Sequence, residues 1–242
     1  MDKEFEKAYH ALEETHWWFQ ARRDMIRRLV SKYGKDTRIL EIGCSGGRLI
    51  EMLNGMGYHN TAGIDISNAA VKLCEERNIG NVMQMDGKEL NFEDNGYDLI
   101  IASDVLEHIG DDYNAVREWK RVLKKGGDII CFVPAFKFLW SDHDVVNRHL
   151  RRYSSHELSR VFKSNGFEII RESYWNFLLF FPLSIIRFIK DSNAGSPDPD
   201  GQLYRHRSLT NRLLYSLLRA ENVFLELLNF PVGVSLFLIA RK

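Results

Sequence analysis

The sequence predicts an α/β fold: a doubly wound, mainly parallel seven-stranded sheet with helices on both faces and a helical insertion before the last strand. Three observations point there. Between Arg38 and Pro134, short apolar runs alternate with segments of helical pattern. Tyr97–Ala102 (YDLIIA) is apolar without alternation, as in a strand covered on both faces. The chain has 242 residues, 45% of them hydrophobic, enough for one sizeable core. Strand–helix units repeated in this way pair in parallel through right-handed crossovers.

Taken in order, residues 1–36 form an N-terminal helical cover, with an amphipathic helix carrying Trp17 and Trp18 toward the sheet. Arg38–Ile42 (RILEI) is the first strand and Arg48–Met56 the helix that follows. Thr61–Ile66 is the second strand, after which Ser67 caps a helix running to about Arg77. Asn81–Met85 and Tyr97–Ala102 are the third and fourth strands. Asp112–Lys125 reads as a helix, with Lys124 and Lys125 at its negative end and Gly126-Gly127 stopping it. Asp128–Val133 (DIICFV) is the fifth strand. Ser154-Ser155-His156-Glu157 is a capping box opening a helix that ends near Asn165-Gly166. Phe167–Tyr174 is the sixth strand. Two apolar helical stretches, 176–190 and 207–228, flank a Pro-, Gly-, Asp- and Ser-rich linker at 191–202 that is expected to be mobile. Val234–Ala240 (VSLFLIA) is the last strand.

Composition excludes several classes. Lys plus Arg equals Asp plus Glu at 33 each, so no bulk field attracts nucleic acid. Cys44, Cys74 and Cys131 are odd in number, far apart and without a CxxC pair, which reads as free thiols in a reducing compartment. The charged start MDKEFEKAYHALEE has no apolar h-region, so no secretory signal is expected and the localisation reads as cytoplasmic. Phe177–Ile189 is too short to span a bilayer, and Val223–Ala240 is interrupted by Glu226, Asn229, Pro231 and Gly233. The apolar stretch 176–232 is instead a candidate for core packing, a homodimer face, a peripheral membrane contact or a lid over a hydrophobic acceptor.

The first strand runs into Glu41-Ile42-Gly43-Cys44-Ser45-Gly46-Gly47. Glycines between a strand and a helix let the backbone turn sharply and approach a ligand closely, at the strand ends where open parallel sheets bind ligands. Asp65 closes the second strand, where an acid accepts hydrogen bonds from both ribose hydroxyls. Asp86 follows the third, where a short polar side chain reaches an adenine amino group, and Ser103-Asp104 ends the fourth. Four consecutive strand ends thus carry small or acidic groups facing one crevice.

ExGxxxG after the first strand, GIDIS at the second, MDG at the third, IIASDVLEHI at the fourth and RVLKKGGDIICFVP at the fifth resemble class I S-adenosylmethionine-dependent methyltransferases. The likeness spans about Arg38 to Pro134 plus the final strand; it departs at Ser45, where the family's loop has its central glycine. It implies S-adenosyl-L-methionine as cofactor, with Glu41, Gly43, Cys44, Ser45 and Gly47 at its amino-acid end. Asp65 with Ile66 would take the ribose, Asp86 with Gly87 the adenine, and Ser103 the methionine portion. The HWWFxARR and HxRRY segments resemble a bacterial subgroup that modifies small molecules and glycans, so the expected partner is a small-molecule, glycan or lipid-linked acceptor and not nucleic acid. The chain then reads as one domain, with a Rossmann-like core at 37–175 and 233–242 and the insertion at 176–232.

Methyl transfer needs an aligned nucleophile in a dry site and, for oxygen or nitrogen, a base near neutral pH. His108, after the fourth strand, and His143 and His149, after the fifth, are the candidates; each is alternatively a residue that ties down its loop. No metal is expected, since Asp142, His143, Asp144 and His149 match no ligand spacing. Arg22 or Arg23 is placed near the cofactor carboxylate, Arg22 being the residue chosen. The rivals are a nicotinamide-dependent oxidoreductase, which would want GxGxxG where this chain has GCSGG, and a non-catalytic cofactor-binding protein.

Overall fold

The computed structural model describes residues 9–190 and 207–242; residues 1–8 and the linker expected at 191–202 lie outside them. Residues 9–13 are helical and lead to α1 (Trp17–Val30), whose N-cap His16 accepts a hydrogen bond from the Trp18 N–H. There follow β1 (Ile39–Ile42), α2 (Arg48–Gly55), β2 (Thr61–Asp65), α3 (Asn68–Glu76), β3 (Val82–Gln84), β4 (Tyr97–Ser103), α4 (Asp112–Val122) and β5 (Leu123–Pro134). The second half holds α5 (Asp142–Val146), α6 (Ser155–Ser164), β6 (Glu168–Trp175), α7 (Phe180–Lys190), α8 (Ser208–Leu225) and β7 (Ser235–Arg241). Single 3₁₀ turns sit at Leu106–His108 and Lys137–Leu139.

Among the described residues the strands make one seven-stranded sheet in the order β3-β2-β1-β4-β5-β7-β6. The first five are parallel, while β7 runs antiparallel to β5 and to β6. The winding reverses between β1 and β4, which opens a crevice at their carboxyl ends. One face packs α4 and α6 through Trp119, Val122, Leu158 and Phe162; the other packs α1, α2 and α8 through Met25, Ile26, Leu53 and Leu218.

Local signals explain most boundaries. Ser67 caps α3 by accepting from the Ala69 and Ala70 N–H groups, and Ser154 and Glu157 form the capping box of α6. The helix expected over Asp112–Lys125 stops at Val122, because Leu123 already pairs with Tyr97 and starts β5. Lys124 donates to Asp98, and the Gly126 N–H donates to the Lys242 carbonyl. Tertiary pairing thus takes residues whose local preference is a helix end.

No helix among the described residues is long and apolar enough to cross a membrane. On α7 and α8, Phe181, Ile185, Phe188, Leu209, Leu213 and Phe224 are exposed, so the described part of the insertion carries an apolar surface as well as core contacts such as Leu218 and Leu225.

Candidate active site

The sheet's crevice opens into a cavity of about 730 Å³ that runs from the loop after β1 to the segment after β5. Its floor at the first end is the glycine turn. Gly43, Ser45 and Gly47 all have left-handed backbone, with φ of 72°, 48° and 76°. Ser45 therefore holds a left-handed conformation that suits glycine, at a modest cost for an L-residue. A Cβ on Gly43 would lie 2.3 Å from Val105 Cγ2, so the turn must pass bare beneath the segment after β4. The Ser45 N–H donates to Asp65 Oδ2 at 2.9 Å, and the Ser67 N–H donates to Oδ1 at 2.8 Å. This pair of bonds fixes the Asp65 carboxylate at the cavity wall.

Glu41 is buried, and its Oε2 finds no hydrogen-bond partner among the described residues. Burial, reinforced by the Glu13 carboxylate, pushes its pKa well above the usual carboxylate range. Asp86 stands at the far side, held by the Lys88 N–H and Nζ, and Gly87 turns its carbonyl to Trp119 Nε1 at 2.6 Å. A Cβ on Gly87 would come within 3.0 Å of Ile42, so this strand end also keeps bare backbone close to the crevice.

The roof comes from the N-terminal cover. His10 Nδ1 lies 3.0 Å from Ser45 Oγ, and Glu14 pairs with Arg48 and Arg77. Asn211 of α8 accepts from the Trp17 N–H and donates to the Thr15 carbonyl, which ties the cover to the insertion. Arg22 lines the cavity with its guanidinium committed to protein groups. Its guanidinium donates to Ser103 Oγ, Asp104 Oδ2 and Ser235 Oγ, and lies against the rings of Trp18, Phe132 and Trp175. It pins the end of β4 to the start of β7. Arg23, one residue on, faces Glu13 and Glu41 and lines the cavity.

At the opposite end the structure gathers the three histidines. The rings of His108 and His149 stand edge to face with centroids 4.7 Å apart, and His143 lies 5.8 Å from His149. Fully buried Asp144 organises this end: it accepts from the Ser141 N–H and Oγ, from His149 Nδ1 at 2.8 Å, and from Arg152 Nε and Nη2. Glu107, also fully buried, sits with Oε1 4.0 Å from His149 Nε2. Burial, then the neighbouring imidazoles, hold the His108 pKa down to about 4.

Of the residues expected at the site, Arg22, Glu41, Gly43, Cys44, Ser45, Asp65, Ile66, Asp86, Gly87, Ser103, His108, His143 and His149 line this one cavity. Gly47 stands apart: it faces Ile79 and Cys74, where a Cβ would come within 2.7 Å, and serves the packing of α2 on the sheet. Besides Asp104, read only as the acid that ends the fourth strand, the residues missed are His10, Glu13, Glu107 and Arg152. Asp104 and Glu107 carried a signal, since they flank Ser103 and His108 in the same segment; Glu13 and His10 carried none, lying in a charged stretch that resembles solvated surface.

A protein-family model described as a methyltransferase domain matches residues 40–131. An uncharacterized protein of Methanocaldococcus jannaschii is 28% identical over 177 residues, covering 70% of this chain and 82% of that one. The ubiquinone biosynthesis O-methyltransferase of Xanthomonas oryzae is 31% identical over 98 residues; the match spans 38% of this chain and 41% of the enzyme's length. Among solved structures, a SAM-dependent methyltransferase from Archaeoglobus fulgidus superposes with a TM-score of 0.62 at 18% identity, over 97% of this chain and 99% of that one. That superposition shows a shared fold.

Proposed function

We infer that this chain, a class I S-adenosylmethionine-dependent methyltransferase, moves the methyl group to a protic oxygen of a small-molecule acceptor held at the histidine end of the cavity. The observation that carries this reading is the continuity of one cavity between the glycine turn and the histidines. The Xanthomonas relative is named for O-methylation in ubiquinone biosynthesis, which supports an oxygen acceptor. Leu183 and Arg187 of α7 also line the cavity, so the insertion offers the acceptor an apolar flank beside charge.

The residues present fit the cofactor. The glycine turn leaves bare backbone beside the cavity, Asp65 is held in place by two amides, and Glu41 keeps an unpartnered carboxylate oxygen for the cofactor's ammonium. Asp65 would bind the ribose, Asp86 with Gly87 the adenine, and Arg23 in place of Arg22 the carboxylate. When bound, the cofactor supplies an electrophilic methyl on a sulfonium whose C–S electrons return to sulfur. The chain's own residues do the rest. Trp17, Trp18 and the cover exclude water from the transfer zone, Ser103 and Val105 shape its floor, and the histidine cluster receives the acceptor and handles its proton.

Isothermal titration with S-adenosylhomocysteine, followed by transfer of labelled methyl to a panel of phenols, catechols and amines, tests the reading. Labelling of amines alone would overturn the oxygen assignment. The two arginines separate cleanly. Arg23→Ala is expected to weaken S-adenosylhomocysteine binding about tenfold or more with little change in melting temperature, as for loss of one charge-assisted contact. Arg22→Ala is expected to lower the melting temperature, because it removes a buried guanidinium packed on three aromatic rings and takes the cation away from Asp104. Equal affinity losses with no stability difference would reverse the assignment.

A further inference from the structure

Among the described residues, one buried carboxylate lacks a hydrogen-bond partner at both of its oxygens. Glu107 is fully buried, and neither carboxylate oxygen has a hydrogen-bond partner among the described residues. A buried carboxylate in that position is costly unless a proton or a cation satisfies it. What faces it is not a Lys or Arg fork but two imidazoles: ligand atoms of Glu107, His108 and His149 all lie within 4.8 Å of one another. Arg22 and Asp104 act on Glu107 only at a distance; the Arg22 guanidinium is already committed to Asp104, Ser103 and Ser235.

The second shell is built as well. His149 Nδ1 is engaged by Asp144 Oδ1, and Asp144 is itself locked by Arg152 and Ser141. This fixes the tautomer and turns the Nε2 lone pair toward Glu107, the carboxylate–histidine arrangement that orients and strengthens a metal-ligating imidazole. His108 also interacts with the backbone of Arg148. Two imidazole nitrogens and one carboxylate oxygen, arriving from two separate segments, leave the remaining coordination positions on the side of the cavity that His108 and His149 line.

We propose that Glu107, His108 and His149 form a binding site for a divalent transition-metal cation of the zinc or manganese class, with open positions toward the acceptor. The donor set decides the class: two imidazoles suit zinc and iron and the carboxylate beside them admits manganese, whereas magnesium and calcium favour all-oxygen shells. Resting on the oxygen-acceptor reading, the cation would take the acceptor hydroxyl as a further ligand and raise its acidity, so that its proton passes to the imidazole of His143, the cluster member outside the ligand set, before the oxygen attacks. Cation binding itself does not depend on that reading.

The test uses the untagged full chain, stripped with chelator, without cofactor or acceptor. Titration with Zn²⁺ by calorimetry, and with Mn²⁺ by loss of the free-ion paramagnetic resonance signal, is expected to show one cation per chain and to raise the melting temperature. Glu107→Gln keeps the shape and removes the charge; His108→Asn removes a ligand without disturbing the Asp144 pair. Each is expected to weaken binding by ~100-fold or more, at or beyond the upper end of the effect of outer-shell changes. S-adenosylhomocysteine affinity, measured in parallel, should be unchanged in both variants. No stoichiometric binding to the parent chain, or binding that survives both substitutions, overturns the site and leaves Glu107 holding a proton. Lost S-adenosylhomocysteine binding in the parent chain would instead sink the methyltransferase reading alone.

Discussion

Asp65→Ala should weaken S-adenosylhomocysteine binding by about 10–100-fold, the equivalent of about 1.5–3 kcal/mol for hydrogen bonds to a charged group. Two losses combine in that number. The carboxylate at the end of β2 is the acid placed to accept from ribose hydroxyls, and it also anchors the turn through the amides of Ser45 and Ser67. Ser45 sits in left-handed backbone without a glycine's freedom, so freeing its N–H loosens the bend where the ligand lies. Asp65→Asn keeps one acceptor oxygen and should fall between the two. Calorimetry on the three proteins checks the series; affinity that is the same in all three would move the ribose away from β2.

The second large effect is on stability. Asp144→Ala should destabilise the fold by about 3–5 kcal/mol, because it strands the buried Arg152 guanidinium. For a chain of this size that is a fall in melting temperature on the order of 10 °C. Asp144 is fully buried; against that burial, the His149 bond and the Arg152 charge pull its carboxyl well below the usual range. Urea denaturation reads the change directly, and a loss under about 1 kcal/mol would mean that water or a rearranged loop replaces the carboxylate. The same variant should cost the histidine end its order, since His149 loses the partner that orients it.

The particular residues show why some of this was legible in the chain and some was not. β1, β2 and β4 are short apolar runs bounded by glycine or acid, and their ends carry the cofactor groups, so the local pattern and the site coincide. Ser67 and Ser154 are capping signals whose geometry is set by neighbours one to three residues away. Arg22 and Arg23 are different. They lie about 100° apart on α1 and both line the cavity, but which guanidinium is taken up by protein groups depends on three rings from α1, β5 and β6 that no local period encodes. Glu107 carries no local sign of burial beside His108; it lies fully buried near His149, in the segment that also carries Asp144. Leu123 was placed in a helix because Lys-Lys-Gly-Gly is a helix stop, whereas pairing with Tyr97 makes it a strand.

The position of β7 between β5 and β6 carries a kinetic implication. Among the described residues β6 pairs with no strand but β7, so once synthesised it has an unsatisfied backbone edge until residues 176–234 have been made and β7 inserts. Part of the cavity wall, including Asn176 and Ser235, is therefore completed only by a late, non-local strand pairing. During synthesis the glycine turn and Asp65 can be in place while the pocket beside them is still open on one flank. Chaperone demand and aggregation risk should concentrate in that interval.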